Sequence, residues 1–480
     1  MNKKNIFVSG LLGAVIMGLG ACTKALDTAP KNSLDLGATL TTREGLNATL
    51  TSIYNTYQAS GYYGRDIIVI PELLADNGEI TSNNTNRFLN QANNAPSSHI
   101  NIWATLYGVI NRANLVINNV DNSTATAAQK TQWKGEATFL RALSLFDAAR
   151  IFARNPLNLN VTGATGATSF DLGVPVLTAG VADATQITYP ARPKVGETYD
   201  AIVKDLTDAN TLLTNTGSAF RARRVAAQAL LSRVELYRGN WAQSERWADS
   251  VLLGGAATIA PATTYFTSWG SNHPETIFGL QYQTGEGNPG TDGLQYIYYR
   301  NLPAIPGYAD VTATASLRAD MGTTDLRFQR LISAQVKSGQ NVFYCMKWPL
   351  STGRQLGQDD IMILRTSEVL LNRAEARARQ GKEALAIGDL NQTRVRAGLT
   401  AFPTSGAGAP TGAALINEIL KERRIELAFE GHRLWDLLRT NRDVVKSGGS
   451  TILTTDFRLI CNIPIAEIDV NRNMTQNPGY

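Results

Sequence analysis

The densest group of charged residues that could do chemistry lies between Lys421 and Arg433. Glu422, Glu426 and Glu430 recur there at four-residue steps, which places three carboxylates on one face of a helix. Such carboxylates can hold a metal ion or act as the acid and base of a glycosidase. The same segment carries three arginines, and leucines at seven-residue steps: Arg423, Arg424, Arg433, Leu420, Leu427 and Leu434. Because interleaved charges on an amphipathic helix are typical of an ion-pair network, we favour a packing role.

No motif of a known catalytic centre stands elsewhere in the sequence. A nucleophile elbow, a P-loop, an HExxH pair and a dinucleotide fingerprint are all absent. His99, His273 and His432 are isolated and lack metal-ligand spacing, so we expect them at surface or capping positions. The sequence therefore predicts neither an enzyme nor a metal or cofactor site.

Two clusters of aromatic and polar residues suit binding instead. The first contains Asp76, Asn77, Asn83, Asn84, Arg87 and Phe88, and the second contains Trp269, Tyr296, Tyr298, Tyr299, Tyr308 and Trp348. Aromatic rings can stack on the apolar faces of sugar rings, while amide, carboxylate and guanidinium groups hydrogen-bond to hydroxyls. On a strand, Tyr296 and Tyr298 share one face and form a small platform. The alternative is that these aromatics form the core of their own segment.

Our ligand-binding candidates come from both clusters. They are Asp76, Asn83, Arg87, Phe88, Trp269, Tyr296, Tyr298, Tyr299 and Trp348.

Cys22 is placed for covalent lipidation. Lys3 and Lys4 precede an uncharged apolar run over residues 6–20, which suits a signal peptide and is shorter than the ~20 residues that span a bilayer. Leu19-Gly20-Ala21-Cys22 then matches the lipobox of bacterial lipoproteins, in which the cysteine thiol takes a diacylglycerol. The alternative is a buried cysteine after an ordinary secretory signal.

Charge and cysteine content exclude several classes of protein. The 480 residues carry a formal net charge of +5 without a basic block, so nucleic acid is not an expected partner. Cys345 and Cys461 remain after lipidation, and the sequence leaves open whether they pair. No later segment is long and apolar enough to span a membrane, so the predicted anchor is Cys22.

Amphipathic helical patterns dominate the elements that must position these residues. The apolar spacing predicts helices over about 102–120, 127–152 and 199–213. Residues 222–253 and 361–397 each predict two helices joined at a glycine, Gly239 and Gly381. Paired helices of this kind are typical of tetratricopeptide-type units, which stack to cover their apolar faces. The alternative is an irregular helical domain. We therefore predict a mainly α fold, a superhelical scaffold of tetratricopeptide-like hairpins.

Two less regular segments interrupt the helices. Residues 61–100 are rich in Asn, Ser and Gly, and residues 255–360 are rich in Tyr, Pro and Gly. Long insertions into a helical array are often functional, and we predict short strands near 276–281, 295–299 and 342–346. The predicted organisation is a signal peptide (1–21), a lipidated tether (22–38), a helical region (39–254) with loop insertion 61–100, an irregular ligand-binding insertion (255–360) and a C-terminal helical region (361–480).

Several motifs, in order along the chain, resemble one family. They are the lipobox followed by Leu26-Asp27-Thr28-Ala29-Pro30, the W-x-x-x-Y-x-x-I-x-x-A-N pattern from Trp103 to Asn114, Gly135 to Ala142, Gly173-Val174-Pro175-Val176, Leu364 to Ala376, Asn391 to Gly398, and Glu422 to Leu437. Together they resemble the SusD/RagB family of outer-membrane nutrient-binding lipoproteins, nearly from end to end.

The resemblance implies a helical fold with four tetratricopeptide-like units and an irregular ligand-binding region. It implies a cell-surface lipoprotein of a Gram-negative outer membrane that binds oligosaccharide without cleaving it, and passes it to a SusC-like TonB-dependent transporter. In this family the helix corresponding to Glu422–Arg439 is a packing element. Few acids follow Cys22, so the signal for surface export is weak. The alternative function is a helical-repeat lipoprotein that binds peptide or protein ligands for uptake.

Overall fold

A computed structural model describes residues 36–82, 84–163, 166–283, 290–299, 307–349, 351 and 354–480. The predicted signal peptide, Cys22 and most of the tether lie outside the described residues, as does Asn83. None of the helices within the described ranges is long and apolar enough to cross a bilayer. The lipid anchor therefore stays a prediction from the sequence.

The described part of the chain is mainly helical. Its α-helices are α1 (Leu36–Leu40), α2 (Arg43–Tyr57), α3 (Asp66–Leu74), α4 (Leu89–Ala92), α5 (Trp103–Asn119), α6 (Ala127–Phe152), α7 (Val195–Leu212), α8 (Arg224–Arg238), α9 (Trp241–Leu252), α10 (Ala262–Tyr265), α11 (Leu294–Tyr298), α12 (Ala315–Met321), α13 (Leu326–Leu331), α14 (Thr366–Arg379), α15 (Glu383–Arg396), α16 (Gly412–Glu426), α17 (Arg433–Arg439) and α18 (Ile465–Val470). Short 3-10 helices cover Val120–Asn122, Ala184–Gln186, Gly290–Asp292 and Phe457–Leu459.

The strands form small antiparallel pairs. They are β1 (Gly78–Ile80), β2 (Asn160–Gly163), β3 (Gly166–Ser169), β4 (Thr276–Leu280), β5 (Val311–Ala313), β6 (Ile332–Lys337), β7 (Gln340–Cys345), β8 (Ile361–Arg365), β9 (Val444–Val445) and β10 (Thr451–Ile452). The pairs are β1 with β5, β2 with β3, β4 with β8, β6 with β7, and β9 with β10. Three of these pairs, β1–β5, β4–β8 and β6–β7, include strands of the predicted second insertion.

The two predicted helical hairpins are confirmed. Gly239 ends α8 with φ +74°, and Gly381 separates α14 from α15 with φ +73°, a left-handed conformation that glycine adopts without strain. Helix α9 of the first hairpin packs against α14 of the second, so the two units are neighbours in one array. The mainly α, tetratricopeptide-like fold class is thereby confirmed.

Helix α6 is the central element of the N-terminal half. It contacts α5 and α7 as well as α2 and α8, and its residues from Gly135 to Phe152 are buried. A capping box at Thr126 and Gln129 starts it, because each side chain accepts a hydrogen bond from the other residue's backbone N–H. The predicted bounds of this helix, 127–152, match the structure.

The charged segment forms two short helices, α16 and α17, and not one continuous helix. Phe429 and Gly431 have φ values of +65° and +79° between them, so Glu430 lies in a turn. The predicted ion-pair network is confirmed, and it is buried: Glu422 pairs with Arg327, Glu426 with Arg327, Arg365 and Arg396, and Glu430 with Arg365 and Lys347. These cations come from distant parts of the chain and not from the neighbouring arginines named in the prediction.

Three other details of the sequence prediction are wrong. Residues 295–299 were expected as a strand, but Leu294–Tyr298 is a helix. The loop insertion 61–100 contains the buried helix α3, whose run of Ile, Val and Leu packs into the core. Residues 361–365 begin the C-terminal region as strand β8, paired with β4.

The three histidines and the two described cysteines are buried. His99, His273 and His432 are 2%, 4% and 7% exposed, so the expectation of surface positions is wrong. His432 does occupy the N-cap position of α17, although its side chain makes no capping hydrogen bond. Cys345 and Cys461 are both buried and both free, so they form no disulfide with each other.

Candidate ligand-binding surface

The two predicted insertions meet along the ribbon formed by β1 and β5. Ile80 lies opposite Val311, and the pairing continues past the strands, where the Thr81 N–H donates to the Asp310 carbonyl at 2.9 Å. The Thr85 N–H then donates to Oδ1 of Asp310 at 3.0 Å. Residues 84–88 are thus held beside residues 307–310, although more than two hundred positions separate them in the sequence.

Arg87 and Tyr308 are in direct contact at this junction. The Arg87 guanidinium carbon lies 4.3 Å from the centroid of the Tyr308 ring, which is the geometry of a cation–π pair. The ring of Tyr296 meets that of Tyr308 at a centroid distance of 5.2 Å and an angle of 60°. One residue of the first cluster and two of the second therefore form a single group.

A second arginine and a carboxylate border the same group. Asp292 Oδ1 lies 3.2 Å from Nη1 of Arg65 and 3.3 Å from Nη2 of Arg87. The guanidinium carbon of Arg65 also lies 5.4 Å from the centroid of the half-buried Phe88 ring. We call Arg65, Arg87, Phe88, Asp292 and Tyr308 the arginine–tyrosine surface.

This surface is accessible and has unused hydrogen-bonding capacity. The side chains of Asp292 and Arg87 are 47% and 32% exposed, and Tyr308 is half-buried. A guanidinium has five N–H donors, and among the described residues the hydrogen bonds of Arg87 to Thr85 and Asp292 use two of them. The surface therefore combines free donors, a carboxylate acceptor and an aromatic ring, which is the chemistry that a sugar ring requires.

Tyr296 and Tyr299 support the surface from below. Tyr296 is 1% exposed, and its hydroxyl has no hydrogen-bond partner within the described ranges. Burial raises its pKa. Tyr299 is half-buried and packs against Ala309, Val342 and Tyr344. Because Tyr296 lies in a helix, it does not share a strand face with Tyr298, and the predicted platform of the two rings is not formed.

Trp269, Tyr298 and Trp348 lie in the interior. The Tyr298 ring stacks on the Trp348 ring at 5.5 Å and 15°, and these two residues are 0% and 4% exposed. Trp269 is 5% exposed and meets Tyr265 edge to face at 5.7 Å. These three side chains pack as core residues, which was the alternative interpretation of the aromatic cluster.

Asp76 is held in a buried ion pair. Its Oδ1 accepts from Nε of Arg433 at 2.6 Å, and Arg424 lies 3.3 Å from its Oδ2. Burial opposes ionisation of Asp76, but the hydrogen bonds and charge of Arg433, together with Arg424, outweigh it and lower the pKa of the carboxyl. This carboxylate joins the first insertion to helices α16 and α17.

Sequence reasoning missed Arg65 and Asp292, and it did not select Tyr308 among the candidates. Arg65 precedes an apolar helix, and Asp292 is in a glycine-rich segment, and neither belongs to the two clusters chosen from the sequence. Tyr308 follows Gly307 at the edge of the second cluster. Within the described ranges, no three His, Cys, Asp or Glu side chains are grouped to hold a metal ion.

Two sequence models of protein families match this chain. The model described as "SusD family" matches residues 330–480. The model described as "Starch-binding associating with outer membrane" matches residues 24–236. Most of the second insertion lies between the two matched ranges.

Individual proteins are similar over nearly the whole chain. SusD-like protein P38 of Formosa agariphila is 24% identical and aligns with 99% of this chain and 99% of its own. A solved SusD superfamily protein of Bacteroides thetaiotaomicron is 27% identical, with a TM-score of 0.78 over 91% of this chain and 99% of its own. A solved structure described as a laminarin-binding SusD-like protein has a TM-score of 0.72 at 21% identity, over 92% of this chain and 100% of its own, and shares the fold.

Proposed function

This chain belongs to the SusD/RagB family, and we propose that it captures oligosaccharides at the outer membrane and delivers them to a SusC-like TonB-dependent transporter. The proposed contact with the glycan is the arginine–tyrosine surface. The proposed tether is the acylated Cys22, which would keep the binding domain beside its transporter.

One observation carries this proposal: the Arg87 guanidinium lies across the Tyr308 ring on an accessible surface. Stacking on Tyr308 fixes the plane of the guanidinium, so its N–H groups are held ready for ligand hydroxyls at little further entropic cost. Asp292 offers acceptor oxygens beside them. The half-buried rings of Phe88 and Tyr308 provide apolar contact for a sugar ring face.

Of the nine candidates from the sequence, Arg87 and Phe88 lie on this surface, and Tyr296 and Tyr299 lie beneath it. We propose the first pair as ligand contacts and the second pair as supports. We propose Asp76, Trp269, Tyr298 and Trp348 as packing residues that shape the site from behind. Asn83 stays a ligand candidate from the sequence alone.

The proposal is tested by isothermal titration calorimetry against a panel of starch, laminarin and other oligosaccharides, together with peptides. Arg87→Ala should weaken binding of the recognised glycan at least about tenfold, because a hydrogen bond from a charged donor contributes about 1.5–3 kcal/mol. Tyr308→Ala should weaken it by a similar factor.

The matched control is Arg394→Ala. Arg394 forms the same kind of pair elsewhere, with its guanidinium carbon 4.0 Å from the centroid of the Phe402 ring, and its loss should leave binding unchanged. If Arg87→Ala and Arg394→Ala bind the glycan with equal affinity, the arginine–tyrosine surface is not the glycan contact. Binding of the peptides alone would favour a peptide-uptake protein instead.

A further inference from the structure

A cavity of about 370 Å³ lies between β1, the end of α4 and the turn that joins β9 to β10. Gly78, Glu79 and Ile80 form one wall, Asn93 and Asn94 a second, and residues 446–450 of the turn a third. No residue of the arginine–tyrosine surface is among the described residues that line it. Its volume is near the lower end of the range for small-molecule pockets, about 300–1,000 Å³, which suits a ligand of one or two rings.

Asn94 is the buried group in this cavity that requires a partner. The residue is 0% exposed, and its Nδ2 donates to the Leu74 carbonyl at 3.0 Å. Its Oδ1 has no hydrogen-bond partner in the part of the chain that the structure describes. A buried acceptor without a partner is unfavourable, so a ligand hydroxyl or a water molecule that reached Oδ1 would be favoured.

The charged residues of the lining offset one another. Lys446 is half-buried, and its ammonium group donates to the Leu73 carbonyl, which leaves two of its three N–H groups available. Glu79 is half-buried on the facing strand and forms no ion pair within the described ranges. Asp76 also lines the cavity, but Arg433 and Arg424 already neutralise it. Among the lining residues that the structure describes, one free anion and one free cation therefore remain, which favours an uncharged ligand.

The rest of the lining is hydroxyl and aliphatic. Ser447 and Ser450 are exposed at the mouth, while Ile80 and Ile452 form apolar wall, and no aromatic ring of the described residues lines the cavity. A ligand here would be bound by hydrogen bonds and not by ring stacking. Each hydroxyl of a sugar both donates and accepts, so a ring in the cavity can hydrogen-bond to Lys446 and to Glu79.

We propose that this cavity is a second subsite, which binds one uncharged sugar ring by hydrogen bonds at a place distinct from the arginine–tyrosine surface. The inference rests on the proposed function in its choice of a glycan ligand. The two sites share one structural support, since β1 lines the cavity and its continuation carries Arg87.

The test is saturation-transfer difference NMR on the chain without its signal peptide, with free neutral monosaccharides as probes. The unmodified protein should give a signal with at least one of them, and Ser450→Trp, which fills the mouth of the cavity, should abolish it. Glu79→Gln keeps the shape and removes the charge, and it should raise the dissociation constant at least about fivefold, because the hydrogen bond to a charged acceptor is lost.

Two control variants show whether the monosaccharide signal comes from this cavity. Ser405→Trp places the same ring on an exposed loop beside a different depression, and it should leave the signal unchanged. Arg87→Ala, which weakens sugar binding at the arginine–tyrosine surface, should retain the part of the monosaccharide signal that Ser450→Trp removes.

The inference is overturned if no monosaccharide gives a signal, if Ser450→Trp and Ser405→Trp behave alike, or if only amino acids and dipeptides bind. If Arg87→Ala loses oligosaccharide binding and any of these results is also found, the proposed function is supported but the cavity is not a sugar subsite. A third result is also possible, in which Arg87→Ala leaves the oligosaccharide affinity unchanged while Ser450→Trp abolishes monosaccharide binding. That result would contradict glycan binding at the arginine–tyrosine surface and support the cavity as a sugar site.

Discussion

Glu426 is the carboxylate with the most charged partners in the buried network. Its Oε1 accepts from Arg365 at 2.8 Å, from Arg396 at 2.6 Å and from the Tyr265 hydroxyl at 2.8 Å, while Oε2 accepts from Arg327 at 2.9 Å. Burial opposes the charge, but Arg396, Arg365 and Arg327 together lower the pKa of Glu426 well below its usual range. The residue stays ionised and joins β8, α13, α15 and α16.

Glu426→Gln should destabilise the fold by about 1.5–3 kcal/mol, because it weakens charged hydrogen bonds from three buried guanidinium groups. Each of these groups keeps another carboxylate partner, Asp325 for Arg327 and Glu275 for Arg365 and Arg396. Glu44→Gln is the control: its side chain is 77% exposed, and the change should cost less than about 0.5 kcal/mol. Urea unfolding followed by circular dichroism measures both values. Equal stability of the two variants would show that the network contributes little.

Some of these residues could be assigned from the sequence, and others could not. The packing role of Glu422, Glu426 and Glu430 followed from their spacing. Their partners did not, because Arg327 lies about a hundred positions away in the chain. The ion pair of Asp76 could not be predicted for the same reason, since its partner Arg433 is 357 positions distant.

Helices α5 and α6 each contain a glycine in a different environment. A Cβ on Gly135 would lie 2.9 Å from the Leu213 side chain, whereas a Cβ on Gly108 would meet nothing within 4 Å. Gly135 is therefore a close-packing position between α6 and the end of α7, and Gly108 is a helix position with open space.

The two glycine-to-alanine changes should have different effects on the free energy of unfolding. Gly108→Ala should stabilise the protein by up to about 1 kcal/mol through helix propensity. Gly135→Ala gains the same propensity but overpacks Leu213, which costs about 1–3 kcal/mol, so it should be neutral or destabilising. Thermal unfolding measures the difference. An increase in Tm for Gly135→Ala equal to that for Gly108→Ala would contradict the close packing of Gly135 against Leu213.

The helices were the most predictable elements. The sequence pattern predicts the helix at residues 127–152 with close to its observed bounds, because the apolar spacing is regular and a cap precedes it. The predicted strand at residues 295–299 is wrong because a short run of Tyr and Ile fits a strand and a buried helix equally well. The arginine–tyrosine surface depends on the pairing of β1 with β5, and no local pattern predicts that pairing.

One large hydrophobic core of the described residues includes both predicted helical regions and both insertions. Leu46, Ile70, Phe278, Tyr298 and Leu434 all belong to it. Both insertions are therefore packed on the helical scaffold, and the arginine–tyrosine surface has a rigid support.

Acid should destabilise the whole molecule before most carboxylates titrate. Burial lowers the pKa of His99 and of His273 to about 4, while the unfolded chain binds these protons near pH 6.5. The unfolded state then binds more protons between these values, so stability falls as the pH is lowered, by about 1.4 kcal/mol per pH unit for each histidine.

His99→Gln should reduce that slope, because it removes one of the buried histidines. The free energy of unfolding, measured in urea from pH 7 to pH 4.5, checks this. An unchanged slope in the variant would show that His99 does not carry the effect.

The proposed delivery of glycan requires a partner in the membrane. The lipidated protein should co-purify with a TonB-dependent transporter from detergent-solubilised outer membranes, and Cys22→Ser should release it from the membrane fraction. Recovery of the native protein without any transporter would contradict the delivery step, whatever the protein binds.

A crystal structure of the mature chain with the oligosaccharide that binds tightest in the panel would locate the ligand itself. We predict a sugar ring in contact with Tyr308 or Phe88, with one of its hydroxyls accepting from the Arg87 guanidinium. An oligosaccharide bound elsewhere, with Arg87 and Tyr308 untouched, would contradict the assignment of glycan capture to the arginine–tyrosine surface.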